Sequence, residues 1–213
     1  KVDIKGMVTA GKIMLYNQHT GKRVKEPFIH VSSAHNVLKL PEPRPFQCLF
    51  GEHLLNGNNR PVAIVESEKS AIIASVYLPE FIWLATGSLV MFTAERCKVL
   101  KGRNVVLYPD LNGYEKWSMK AKELSNITCF TVSDLLELNA SEADKLQGLD
   151  IADYLIKLQL PEQRETKPFT TPDLMTLLVD ECVSMSKKLN SGDIPRDEYF
   201  EYSKQLSQKL LEV

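Results

Sequence analysis

Val62-Ala63-Ile64-Val65-Glu66-Ser67-Glu68-Lys69-Ser70-Ala71-Ile72-Ile73-Ala74-Ser75 is the stretch whose reading decides the fold. Pro61 precedes four consecutive apolar residues, the pattern of a short strand buried on both faces of a parallel sheet. Glu66-Ser67-Glu68-Lys69 then leads into Ala71-Ile72-Ile73-Ala74, a good helical run. A strand-turn-helix of this kind sets its turn at the carboxyl edge of the sheet, where open α/β folds collect ligands. Glu66, released at that turn, is well placed for chemistry.

Working outward, Gly102-Arg103-Asn104 enters a second buried run, Val105-Val106-Leu107-Tyr108, which ends on Pro109-Asp110-Leu111-Asn112-Gly113 before a helical segment from Tyr114 to Leu124. Two parallel strands each followed by a helix release their acids at the same edge. Glu66 and Asp110 can then converge on one divalent cation, since Mg²⁺ is usually held by one or two carboxylates with water or phosphate. A second reading has Glu68 and Asp110 serving only the positive N-termini of the following helices. The whole alternation runs strand 62–65, helix 68–77, strand 81–85, short helix near 91–97, strand 104–108, helix 114–124 and strand 127–131. It predicts an α/β fold with a parallel sheet of about four strands and helices on both faces.

"VAIVESEK" followed at a distance by "VVLYPDLNG" resembles the Toprim domain shared by bacterial primases, type IA and II topoisomerases and some nucleases. That domain has one strand ending in a glutamate and a later strand ending in Asp-x-Asp. Glu66 stands at the glutamate, with Ser67 where glycine is common; Asp110 stands at the first aspartate and Asn112 at the second. In another register Pro109 and Leu111 take the acidic positions and the site is lost. The stretches "VESEK", "CLFGEHLL" and "YPD…YEKW" are similar to those of primase-like Toprim proteins associated with mobile elements, over roughly the first two-thirds of the chain. The resemblance implies metal-dependent phosphodiester chemistry on nucleic acid, DNA favoured over RNA, as a primase, nucleotidyltransferase or nuclease. It implies Mg²⁺ or Mn²⁺ held by Glu66 and Asp110 with Asn112 as a weaker ligand and Glu68 or Glu115 in reserve; a phosphate-handling site also wants cations beside its metal, for which Lys69, Arg103 and Lys116 are the candidates. A helicase or a zinc-binding N-terminal module is the implied partner. The alternative is a catalytically degenerate Toprim fold acting as a binding module in a mobile-element replication complex, favoured by the amide at Asn112.

The 213 residues, 44% hydrophobic and 25% charged, suit a domain with an appendage. No apolar run reaches the roughly 20 residues needed to cross a bilayer, and no signal peptide is visible. Cys48, Cys97, Cys129 and Cys182 lie far apart without a C-x-x-C pair. They read as reduced thiols of a cytoplasmic protein rather than zinc ligands. No G-x-x-x-x-G-K or G-x-G-x-x-G occurs, which disfavours nucleotide-driven motors and dinucleotide enzymes. The chain opens on Lys1 rather than Met, as a segment of a longer protein would.

Net charge is −1, but residues 1–60 hold nine Lys and Arg against four Asp and Glu, leaving the remainder at −6. Three regions are expected: an N-terminal extension with a β-hairpin (1–60), an α/β core (61–160), and a linker with C-terminal helices (161–213). In the first, Lys12–Tyr16 and Lys22–Lys25 are expected to pair across Asn17–Gly21. The Lys22-Arg23-Lys25 cluster either grips a phosphate backbone or guards a solvated edge strand. Pro41, Pro43 and Pro45 force an extended connector. Residues 46–55 read as a strand or short helix docked on the sheet, with His53 as a packing residue. The step Ala85-Thr86-Gly87-Ser88 is either a plain turn or a phosphate-binding one. Asp150 and Asp153 lie three apart on one helical face. Helices are expected at 173–189 and 195–212.

Overall fold

The computed structural model describes residues 1–39 and 47–158; the proline connector, the expected 161–172 linker and the helices expected at 173–189 and 195–212 lie outside the described residues. Val62–Val65 (β3), Ile82–Ala85 (β4), Val105–Leu107 (β5) and Phe130–Val132 (β6) form one sheet in the order β4-β3-β5-β6, every neighbouring pair parallel. All residues of β3, β4 and β5 are buried, as continuous apolar strands covered on both faces must be.

The pleat divides those strands between two cores. Val62, Ile64, Ile82, Leu84, Val105 and Leu107 face Trp117, Ala121 and Leu124 on or just beyond Tyr114–Glu123 (α4), together with Phe92, Cys97 and Leu100 around the short helix Ala94–Cys97 (α3). Phe92 packs on the Trp117 and Phe130 rings at 5.5 Å and 5.3 Å between centroids. On the opposite face Ala63, Val65, Trp83, Ala85 and Val106 meet Ala71 and Ala74 of Glu68–Tyr77 (α2). Leu136 of Leu135–Asn139 (α5) and Ile151 and Leu155 of Ile151–Leu155 (α7) complete this face. The alanines let α2 lie close on the sheet; the helix ends at Leu78 because Pro79 disfavours a helical residue before it. A further helix, Glu142–Gln147 (α6), is opened by a Ser141–Asp144 capping box.

The N-terminal part is built differently. Lys12–Met14 (β1) pairs antiparallel with Val31–Ser33 (β2), which runs into Ala34–Val37 (α1). The expected pairing of 12–16 with 22–25 is reduced to one bridge, Tyr16 with Arg23, so the chain around β1 has neighbours on both sides. Strand 127–131 starts late, at Phe130, because the Ile127 N–H closes a turn on the Leu124 carbonyl and the Thr128 hydroxyl donates to the Arg103 carbonyl at 2.8 Å. Of the segment 46–55, residues 47–55 hold a bridge between Phe50 and Ala85 and a 3₁₀ turn, Glu52–Leu55, and Phe46 lies outside the described residues. Gly51 between them has φ +81°, and a Cβ there would lie 2.8 Å from the Trp83 carbonyl oxygen. No helix among the described residues is long and apolar enough to cross a membrane.

Candidate functional site

The connection after β3 enters α2 on one face of the sheet, and the connection after β5 enters α4 on the other. Adjacent parallel strands whose connections part in this way open a crevice at their carboxyl ends. Glu66 follows β3 and Asp110 closely follows β5, so both acids stand at that crevice. Gly113 makes the Asp110 turn possible, because a Cβ there would lie 2.7 Å from the Asp110 carbonyl oxygen.

Asp110 is the most perturbed acid of the site. Burial, then the carboxylates of Asp150, Glu66 and Asp153, push its pKa up to about 7. Each of those neighbours disfavours the ionised form. The structure therefore brings Glu66 and Asp110 into electrostatic contact and adds two acids from α7.

Asp150 and Asp153 have other work as well. The Asp150 carboxylate accepts the N–H groups of Ala152 (2.8 Å) and Asp153 (3.1 Å), while Asp153 accepts the Asp150 N–H at 3.0 Å. This is a capping box that starts α7. The other Asp150 oxygen accepts the hydroxyl of buried Ser70, tying α7 to α2. The Asp-x-x-Asp spacing, read only as two acids on one face, was a legible capping signal; their approach to Asp110 had no local signal at all.

Three residues expected in the site are placed elsewhere or otherwise occupied. Arg103 precedes β5 and therefore stands at the amino edge, opposite the crevice. Its guanidinium donates to the carbonyls of Asn58 (2.7 Å) and Leu55 (2.8 Å), holding the 55–58 turn against the sheet. Asn112 is exposed with φ +66°, a left-handed conformation that asparagine tolerates better than most residues. Its amide donates to the Lys145 carbonyl and its backbone N–H to Glu137, each at 2.7 Å. Glu68, a reserve ligand, accepts Lys12 Nζ at 2.8 Å and lies 3.9 Å from Lys1 Nζ. Burial would raise its pKa, but the Lys12 hydrogen bond and the two lysine charges hold it below the usual carboxylate range.

Lys69, half-buried in the first turn of α2, and Lys116, exposed in the first turn of α4, remain at the carboxyl edge. Beside them lies a basic group that the sequence did not suggest. Lys1 and Lys12 flank Glu68, and Arg96 of α3 reaches the Thr86 carbonyl at 3.5 Å. The Thr86 hydroxyl is fully buried and has no hydrogen-bond partner among the described residues. No group of three or more His, Cys, Asp or Glu among the described residues is arranged to hold a metal ion. Of the acids at the crevice, Glu66 and Asp110 interact electrostatically and could share one Mg²⁺ if water and phosphate oxygens supplied the remaining ligands.

A family model described as a domain of unknown function (DUF6371) matches residues 1–111. The matched segment contains Glu66 and Asp110 and stops short of Asp150 and Asp153. No curated protein and no solved structure matches the chain.

Proposed function

The chain belongs to the DUF6371 family, and we propose that it is a Toprim-like domain of a primase-like DNA-processing protein, with metal-dependent phosphodiester chemistry at Glu66 and Asp110. The observation that carries this reading is the placement of Glu66 and Asp110 at the carboxyl ends of the adjacent parallel strands β3 and β5, where burial first and then three neighbouring carboxylates push Asp110 up to about 7. Neighbouring carboxylates attract a hard divalent ion, which offsets the repulsion between them. The likeness of "VAIVESEK" and "VVLYPDLNG" to the Toprim motifs supports the same two residues. A Mg²⁺ or Mn²⁺ ion bound there would supply charge stabilisation at phosphoryl oxygens. The chain itself contributes the two acids, an α7 cap that keeps Asp150 and Asp153 against Asp110, and Lys69 and Lys116 at the same edge for phosphate.

A second reading, a binding module without catalysis, draws on Arg103 and Asn112. With the guanidinium at the amino edge, the amide spent on Lys145, and Asp150 and Asp153 engaged in the α7 cap, Glu66 and Asp110 are left as the pair outside that cap, where a two-metal site needs more donors. Calorimetric titration with MgCl₂ and MnCl₂, paired with nuclease and primer-synthesis assays, separates the two. The first reading expects metal binding that weakens at least about tenfold in Glu66→Gln and in Asp110→Asn, with product formation lost in both. Nucleic-acid binding without any metal dependence would leave the module reading standing and sink the catalytic one.

A further inference from the structure

We propose that one face of the small N-terminal sheet is a docking platform for single-stranded nucleic acid, with Tyr16 stacking on a base and Arg23 holding the backbone beside it. This rests on the reading of nucleic acid as the substrate and specifies how it is held. The register assigns the face. β1 pairs Lys12 with Ser33 and Met14 with Val31, and the bridge pairs Tyr16 with Arg23. Directly opposed residues project to the same side, and alternate residues along a strand share a face. Lys12, Met14, Tyr16, Arg23 and Val31 therefore share one surface. The backbone is extended as far as Tyr16: Leu15 N–H donates to His30, Val24 N–H donates to Leu15, and Asn17 N–H donates to Lys22.

The near end of this face is anchored at the catalytic edge. Lys12 bonds Glu68, the first residue of α2, two positions beyond Glu66. Its far end, Tyr16 and Arg23, is exposed, roughly 13 Å along the strand at about 3.3 Å per residue. A strand laid over Tyr16 is thereby led toward Glu66 and Asp110.

Charge and shape select the occupant. Residues 1–39 carry seven Lys and Arg against two acids, and Lys22, Arg23 and Lys25 cluster in the segment paired with the Tyr16 end. A protein-protein interface excludes lysine from its centre, whereas a polyanion seeks it. Flat surfaces beside cations suit unstacked bases, which pack on tyrosine rings and guanidinium planes. A duplex hides those base faces, so the single strand is the fitting form.

Fluorescence anisotropy of the full chain with a labelled single strand of about 16 nucleotides, and with its duplex, tests the proposal. Tyr16→Ala should weaken single-strand binding about tenfold while Tyr16→Phe binds like the parent, since the ring and not the hydroxyl stacks. Arg23→Glu should also lose about tenfold and flatten the salt dependence by about 0.7 in log-log slope. Lys101→Glu, a matched charge change on the exposed turn at the amino edge, should leave binding unchanged. Equal losses for Lys101→Glu and Arg23→Glu, parental binding by Tyr16→Ala, or a preference for duplex would each overturn the platform. If those variants bind as the parent does while Glu66→Gln abolishes metal-dependent turnover, the platform fails and the site reading survives. A parent chain that binds neither form removes both.

Discussion

The two ends of the described chain are held together by different forces. In the core, β3 and β4 are buried along their whole length and both sheet faces carry aromatic or aliphatic layers. Residues 1–39 bury only Thr9 and Ala10 and leave Ile13, Leu15, Phe28 and Val31 exposed. They attach mainly through polar ties, Lys12 to Glu68, the Ile4 N–H to buried Glu52 at 3.1 Å, and Thr9 Oγ1 to Cys48 Sγ at 3.1 Å, with the Ile4 side chain packed against the core. Hydrophobic burial scales with area and is hard to undo piecemeal, while a few hydrogen bonds open locally at modest cost. One region is a scaffold held by burial, and the other an attachment held mostly at its surface.

The contrast is broken most directly by truncating one side chain in each region. Leu84→Ala, at a residue with 0% exposure, should cost about 3 kcal/mol, whereas Ile13→Ala, at 46% exposure, should cost less than about 1 kcal/mol. Urea midpoints at constant slope read the difference, and equal costs would make the N-terminal sheet part of the same cooperative core. A pH series sharpens it at the crevice. The Asp110 pKa lies at about 7 in the fold against an ordinary 3.8, so the native state binds this proton more tightly. That stability is fully present below about pH 4 and is lost as pH rises through 7. Asp110→Asn should match the parent in acid and exceed it at pH 8 by on the order of 2 kcal/mol, read from thermal unfolding. A parent stability that does not fall between pH 5 and 8 would remove the crowding. The smallest effect belongs to Lys12→Ala, under about 1 kcal/mol globally because the pair is partly solvated. Amide exchange should nonetheless quicken in residues 8–33 and stay unchanged in β3 and β5.

What the sequence disclosed follows the same division. Continuous apolar runs closed by Pro or Gly located β3 and its helix to the residue and β4 and β5 to within one, because periodicity records burial directly. β6 was set too early, since Ile127 and Thr128 look like strand residues but are spent on a turn and on Arg103. In the N-terminal sheet, which hardly uses burial, the Thr20-Gly21 turn was legible and the principal partner, β2, was not. At the site, Glu66 and Asp110 were readable from strand ends. The arrival of Asp150 and Asp153 and the departure of Arg103 depend on which strand lies beside which, and no local pattern carries that.

Phe50 and Ala85 exchange both their backbone hydrogen bonds, at 2.9 Å and 3.1 Å, on the outer side of β4. Since β4 is the last strand of the sheet, its exposed amide and carbonyl groups would otherwise be a template for a second molecule. The bridge closes that template at the carboxyl end of the strand, and Gly51 turns the chain away immediately afterwards. Any side chain at position 51 would push the blocking segment off the sheet, so the damage from such a change would surface as clumping of otherwise folded molecules before it surfaced as loss of fold.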